Sequence, residues 1–236
     1  MHPTANDISL NLFGFQTVIR PFFWLTAALI AAQSIGDINN NMPMWIASLL
    51  VGIAGVLLSL LVHELGHALV FRHVFHIPSG IIIHGFGGLA LPLQHFPRRY
   101  GLRGALAHGF LSFAGPLAGF LLAVLMLVLL YITPANESLA SVLFRYFLSW
   151  TATISIFWGI INLLPIYPMD GGHISREIFL FFSPRQGVQF SLLLSMVFAV
   201  LLAVLALQYN AYIMTFFFIY FAYQNYQEMT FRSFRR

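Results

Sequence analysis

The stretch that decides the fold is Leu61-Val-His-Glu-Leu-Gly-His-Ala-Leu69, which places three ionisable side chains inside an apolar run. In an α-helix, His63 and His67 lie one turn apart, offset by about 40° and 6 Å, so both imidazoles can reach one metal ion. Glu64 lies about 100° further round the helix, beside such an ion but not on it. This H-E-x-x-H spacing is typical of two zinc ligands and a general base. The alternative is a pair of core histidines next to a neutral glutamate.

The composition indicates an integral membrane protein. Of the 236 residues, 59% are hydrophobic and 8% are charged, whereas a soluble domain carries about 25% charged residues. An ionisable group at membrane depth is costly and indicates a functional site. The chain has no cysteine and no lysine, which excludes disulfides, thiol nucleophiles and Schiff-base chemistry. No large basic cluster exists, so we expect a lipid bilayer and no nucleic acid as partner.

Six apolar runs approach the roughly 20 residues that a membrane-spanning helix needs. The two outermost runs are short. The predicted spans are 21–35, 45–71, 110–132, 146–164, 188–207 and 211–223. Because no other segment is long enough for a soluble domain, we expect one membrane domain over residues 1–236.

The arginines predict the orientation of these spans. With six spans, ten of the 11 arginines fall on one side and only Arg145 falls on the other. Since positive charge accumulates on the cytoplasmic side, both termini are predicted to be cytoplasmic. We expect the membrane to be the bacterial plasma (inner) membrane.

Residues 77–92 predict a β-hairpin on the cytoplasmic side. Two short apolar runs flank a glycine-rich turn that contains Gly87 and Gly88, which is typical of a hairpin. The segment is too short to span, and its backbone must pair with something if it enters the lipid. Ser9–Ile19 is a candidate for an additional strand. The predicted fold class is therefore an all-α polytopic membrane protein with about six transmembrane helices and a small membrane-associated β-hairpin or sheet.

Zinc needs a third protein ligand and an open position for water. His73 follows His67 by six residues, but a third histidine at this spacing requires a glycine that breaks the helix, and Val70 stands at that point. If the helix continues, His73 lies about 15 Å along the axis from His63. His76 lies farther still, so we expect both at the membrane interface.

Asp170 is the better candidate for the third ligand. It follows the cytoplasmic end of the fourth span, with prolines before it and two glycines after it. Prolines fix φ and glycines permit a sharp exit from the membrane. Counting arginines places Asp170 at a depth similar to that of His63 and His67. The alternative is an interfacial aspartate that is simply exposed to water.

Two motifs resemble the site-2 protease (M50) family of intramembrane zinc metalloproteases: His-Glu-Leu-Gly-His at 63–67, and Asn-x-x-Pro-x-x-Pro-x-Asp-Gly-Gly at 162–172. The run Ala114-Gly-Pro-Leu-Ala-Gly119 and the Gly-Gly pair of the hairpin also resemble that family. The resemblance covers nearly the whole chain, in a minimal form with no room for a PDZ or CBS domain.

This resemblance implies residue roles and one Zn²⁺ per chain. It implies His63, His67 and Asp170 as zinc ligands and Glu64 as the catalytic acid/base. By analogy, Asn162 would contact the substrate, although it could instead cap its helix. Gly87 and Gly88 would belong to a hairpin that guides the substrate.

The leading hypothesis is an intramembrane zinc endopeptidase that cleaves single-span membrane proteins in or near their transmembrane segments. One alternative is a catalytically inactive relative that binds membrane helices, which the intact Glu64 argues against. Another is a zinc or cation transporter. Transporters usually show internal repeats and a midplane site, and the sequence has neither.

Overall fold

A computed structural model describes residue 4 and residues 6–35, 42–96 and 101–233. Across these residues lie four strands and seven helices, in the chain order β1, β2, α1, α2, β3, β4 and α3 to α7. Their bounds are β1 Ile8–Leu12, β2 Phe15–Ile19, α1 Pro21–Ile35, α2 Met42–His73, β3 Ser79–His84, β4 Gly87–Pro92, α3 Gly101–Ile132, α4 Leu139–Asn162, α5 Asp170–Phe182, α6 Gly187–Gln208 and α7 Tyr212–Ser233.

Four helices of the described residues, α2, α3, α4 and α6, are long and apolar enough to cross a membrane. They correspond to the second to fifth predicted spans and support an integral membrane protein. α1 has the predicted bounds of the first span but only 15 residues, and α7 is not among the four. The count of six spans and their sides therefore stay predictions.

Several elements differ from the sequence-based prediction. α3 begins at Gly101 rather than at 110, and α4 begins at Leu139 rather than at 146 and ends at Asn162 rather than at 164. Ser9–Ile19 was predicted as one strand but forms parts of two, β1 and β2, because Phe13 and Gly14 take positive φ angles of 50° and 81° and reverse the chain. α5 was not predicted, since Arg176 and Glu177 interrupt its apolar residues. α7 runs ten residues beyond the predicted end of the sixth span at 223, where its sequence turns polar.

The described residues up to Phe96, with Ala114–Gly159, form one compact unit. Its sheet has the strand order β1-β2-β3-β4. β1 pairs with β2 and β3 with β4 in antiparallel ladders, whereas β2 and β3 are parallel. The buried face of the sheet presents Phe15, Ile81 and Ile83 to a core that it shares with Phe23 of α1. The predicted hairpin is thus the second half of a larger sheet.

Residues 101–113 and 160–233 belong to a second compact unit. α6 and α7 pack along each other, and α5 packs on α6. The core of this unit includes Ile166, Ala199, Ala203 and Phe218. Ile166 belongs to the segment that precedes α5, so that segment is buried by the helices that follow it. The single domain expected from the sequence stays a prediction.

Candidate metal centre

The two histidines of α2 face each other across a distance that suits a metal ion. Both side chains are buried, and their Nε2 atoms lie 3.3 Å apart. Two ligands at zinc–nitrogen distances of about 2.0–2.1 Å in tetrahedral geometry have nitrogens about 3.3 Å apart. The rings are steeply inclined, at 75° with centroids 5.0 Å apart. The pair therefore fits two zinc ligands at i and i+4 of one helix.

Glycines hold α3 close to this pair. A Cβ atom at Gly115 would lie 2.2 Å from Nε2 of His67 and 2.8 Å from Nε2 of His63. A Cβ atom at Gly66 would lie 2.3 Å from the carbonyl oxygen of Ala114, so Gly66 allows the close approach of the two helix backbones and Gly115 leaves room for the imidazoles. The sequence places Gly115 only in a run that resembles the M50 family, and its position beside the imidazoles was missed. The glycine inside the H-E-x-x-H motif was the available signal for a close helix neighbour.

Glu64 lies against the hairpin. Its side chain is 4% exposed, and a Cβ atom at Gly88 would lie 2.3 Å from its Cγ and 2.6 Å from its Oε1. Gly87 has a φ of 132°, and a Cβ atom there would meet the Trp158 ring at 2.9 Å. Both glycines thus let β4 approach the carboxylate and its surroundings. Their predicted contact with substrate stays a prediction.

Asp170 is the first residue of α5 and is partly buried. A carboxylate in the first turn of a helix interacts favourably with the helix dipole. The preceding segment folds back on this turn: a Cβ atom at Gly171 would lie 2.1 Å from the carbonyl oxygen of Leu163, and one at Gly172 would lie 2.4 Å from the nitrogen of Tyr167. The Asp-Gly-Gly sequence therefore allows the chain to turn tightly around the carboxylate.

His63 and His67 supply two of the expected ligands, and Asp170 stays the predicted third ligand. α2 continues without a break to His73, as the valine at position 70 predicts, and His73 and His76 are exposed. Two imidazoles and a carboxylate are ligands that zinc prefers.

Two further side chains of interest each lie at the end of an element. Asn162 is the last residue of α4 and is partly buried; its substrate contact stays a prediction. His84 ends β3, and its Nδ1 accepts a hydrogen bond from the backbone N–H of Phe86 at 3.2 Å. Burial, and secondly the positive charge of Arg20, hold the pKa of His84 below its usual value. The imidazole is therefore neutral at pH 7.

Comparison with known proteins relates the chain to a family of peptidases. Residues 131–205 match peptidase family M50. A zinc metalloprotease of Methanocaldococcus jannaschii is 27% identical over 176 residues, which is 73% of this chain and 46% of that protein. Rip3 of Mycobacterium tuberculosis is 32% identical over 53% of this chain and 30% of its own length. The chain thus spans less than half the length of these curated relatives.

The solved structure of a site-2 protease from Methanocaldococcus jannaschii is similar over 94% of this chain and 95% of its own, with a TM-score of 0.58 and 22% identity. The apolar helices and the small sheet thus define an integral membrane protein with the fold of that protease. The family match and the curated relatives make the chain similar to members of peptidase family M50, and the solved structure shows the likeness in fold. Zinc is the metal named for the curated relatives, and the two imidazoles and carboxylate fit it.

Proposed function

We propose that this protein is a zinc-dependent endopeptidase that cleaves other membrane proteins in or near their transmembrane segments. The observation that carries the proposal is the pair of buried imidazoles with Nε2 atoms 3.3 Å apart, next to the buried Glu64, in a helix apolar enough to cross a membrane. A structural core would gain nothing from three ionisable groups at this depth.

In this proposal His63, His67 and Asp170 hold one zinc ion per chain. Zinc supplies Lewis acidity, which polarises a carbonyl group and makes water easier to deprotonate. The side chains of the protein orient the reaction around it. His63 and His67 come from one rigid helix turn, and Asp170 comes from the start of another helix, so the ligand set combines two elements distant in sequence.

Glu64 is the proposed general base and acid. It takes a proton from the attacking water, and it returns a proton to the amine that leaves when the peptide bond breaks. Glu64 follows His63, a proposed ligand, on α2. Because successive residues of a helix point about 100° apart, the Glu64 side chain would lie beside the metal rather than bind it. The close contact with Gly88 limits where its carboxylate can lie.

The substrate is proposed to bind as an extended segment beside β4. β4 is at one end of the sheet order, and its ladder partner among the described strands is β3 alone, so its other edge can accept a strand. A helical substrate must unwind first, because helical backbone carbonyls are already hydrogen-bonded. Asn162, Gly87 and Gly88 are the proposed contacts. Single-span membrane proteins are the proposed substrates, the bacterial plasma membrane is the proposed location, and both termini are proposed to be cytoplasmic.

The test is co-expression with a panel of tagged single-span membrane proteins, comparing the wild type with Glu64→Gln. Glu64→Gln keeps the size of the side chain but cannot accept the proton, so cleavage should fall roughly a hundredfold or more while bound zinc remains. Glu137→Gln serves as the control, because it makes the same change at an exposed position in the 133–138 loop.

Cleavage that persists in Glu64→Gln at the wild-type rate would contradict the proposed mechanism. Loss of zinc in that variant would instead identify Glu64 as a ligand. A wild-type chain that binds zinc but cleaves no member of the panel would favour the binding of membrane helices without catalysis.

A further inference from the structure

The backbone of Tyr167, three residues before Asp170, is held on both sides by later helices. The side-chain amide of Asn225 on α7 donates a hydrogen bond to the Tyr167 carbonyl oxygen at 2.6 Å. The Tyr167 backbone N–H donates to Oγ of Ser195 on α6 at 3.1 Å. Both polar groups of one backbone position are therefore satisfied by side chains that no motif includes. We call Ser195 and Asn225 the Tyr167 clamp.

The Tyr167 clamp lies in the interior of its unit. Ser195 and Asn225 are both 0% exposed. The Asn225 amide also donates to the carbonyl oxygen of Phe221 at 2.7 Å, so both of its partners are acceptors and the position needs a donor. Since buried polar groups are costly without partners, two such residues facing one irregular backbone segment indicate a specific anchoring role.

The anchored segment leads directly to Asp170. Ile166 is fully buried in the core between α6 and α7, and Met169 packs against the same core. The Met169 N–H donates to the Ile166 carbonyl at 2.8 Å, and the His173 N–H donates to the Met169 carbonyl at 3.1 Å. A short chain of contacts thus connects the clamped backbone to the first turn of α5, which carries the carboxylate.

We propose that Ser195 and Asn225 are positioning residues, which hold the segment before α5 so that the Asp170 carboxylate is placed to bind the metal. This inference rests on the proposed function, in which Asp170 is a zinc ligand. It assigns α6 and α7 a specific role, although neither contributes a proposed ligand. The clamp acts through backbone hydrogen bonds, so the side chain of Tyr167 need not take part.

The first test compares Asn225→Asp with Gln227→Glu. Asn225→Asp preserves shape but replaces the amide donor with a carboxylate that faces two carbonyl oxygens. Gln227→Glu makes the same chemical change at an exposed position of the same helix. Zinc affinity, measured on the full-length protein in detergent by competition with a chromophoric chelator, should fall roughly 10- to 100-fold in Asn225→Asp, as for residues that support metal ligands. Gln227→Glu should bind zinc like the wild type.

A double-mutant cycle separates positioning from general destabilisation. If Asn225 acts through Asp170, Asn225→Asp should weaken zinc binding no further in a chain that already carries Asp170→Ala, because the two effects are coupled. Equal losses in both backgrounds would overturn the proposal, and so would unchanged zinc affinity in Asn225→Asp. The readout is zinc affinity, so a failure to detect proteolysis in the wild type would contradict the proposed function and leave this result standing.

A milder variant covers the case in which Asn225→Asp does not fold. Ser195→Ala removes the acceptor of the Tyr167 N–H, whereas Ser191→Ala removes a buried serine one turn earlier whose hydroxyl donates to the Val188 carbonyl of its own helix. Amide exchange at Met169 and His173 should rise in Ser195→Ala and stay unchanged in Ser191→Ala, and zinc affinity should follow the same order. Equal behaviour of the two serine variants would overturn the clamp.

Discussion

The proposed ligands come from two different kinds of local structure. His63 and His67 project from an unbroken helix, α2, so their separation follows from helix geometry. Asp170 follows an irregular segment whose shape depends on glycines and on hydrogen bonds from α6 and α7. The helix places its ligands by local geometry, whereas the irregular segment needs support from residues far away in sequence.

This difference separates two kinds of sensitivity to mutation. A ligand on a long helix is positioned by many backbone hydrogen bonds, and the loss of any one neighbour changes little. A ligand after an irregular segment depends on a few contacts, and each of them can move it. Substitutions outside the motifs should therefore affect the Asp170 side of the centre more than the histidine side.

The largest expected effect comes from removing a proposed ligand from each side. His67→Ala and Asp170→Ala should each weaken zinc binding by more than the roughly 10- to 100-fold typical of supporting residues, because each deletes one of three protein ligands. Zinc content of the purified protein, by mass spectrometry of the metal, measures this directly. His73→Ala is the control and should retain zinc. Full retention of zinc in Asp170→Ala would show that Asp170 is not the third ligand.

The next effect tests whether zinc binding by His63 and His67 depends on a glycine of the neighbouring helix α3. Gly115→Ala would place a methyl group 2.2 Å from Nε2 of His67. Displacing the His67 imidazole to avoid this methyl group should cost about 1–3 kcal/mol of free energy. The affinity for zinc should fall by the corresponding factor. Gly119→Ala, one turn later on α3, meets its nearest atom, the Ser155 carbonyl oxygen, at 3.6 Å, which is ordinary contact. If both variants bind zinc equally, α3 does not restrict the site.

The smallest effect concerns the hairpin. Because the pKa of His84 is lowered in the folded protein from its ordinary 6.5, the contribution of His84 to the free energy of unfolding should be constant above that pH and should decrease as the pH falls below it. Protonation of Nδ1 also removes the acceptor of the Phe86 N–H. Hydrogen exchange at Phe86 should therefore increase more than at Leu91 as the pH falls from 7.5 to 5 (with the intrinsic rate corrected). His84→Asn should abolish the difference, and a pH-independent ratio in the wild type would contradict the assignment.

The regular parts of this architecture could be predicted from sequence. Apolar length gave four of the helices, and the glycine-rich turn after His84 gave the β3–β4 hairpin. The H-E-x-x-H spacing predicted the facing imidazoles because helix geometry is the same wherever it occurs. The role of Asp170 came from the position of a carboxylate after a span, which is weaker, and it stays a prediction.

The supporting contacts could not be predicted, because they depend on long-range packing. Asn225 lies beyond the predicted end of the sixth span, where the sequence of α7 turns polar, and nothing in its local sequence shows that it donates to Tyr167. Gly115 could be recognised as a packing residue, but not as a neighbour of His67. The parallel pairing of β2 with β3 joins segments about 60 residues apart, and no local pattern encodes such a pairing.

That parallel pairing has a practical consequence for anyone who trims or tags the amino terminus. Gln16–Ile19 supply the ladder on one side of β3, and β3 supplies the ladder for β4, whose Gly88 borders Glu64. Deleting the residues before Pro21 would leave one edge of β3 without its backbone partners, and β4, which borders the proposed acid/base residue Glu64, pairs with β3. If such a shortened chain cleaved poorly, the cause would be the lost pairing of β3, although every residue of the recognisable motifs would still be present.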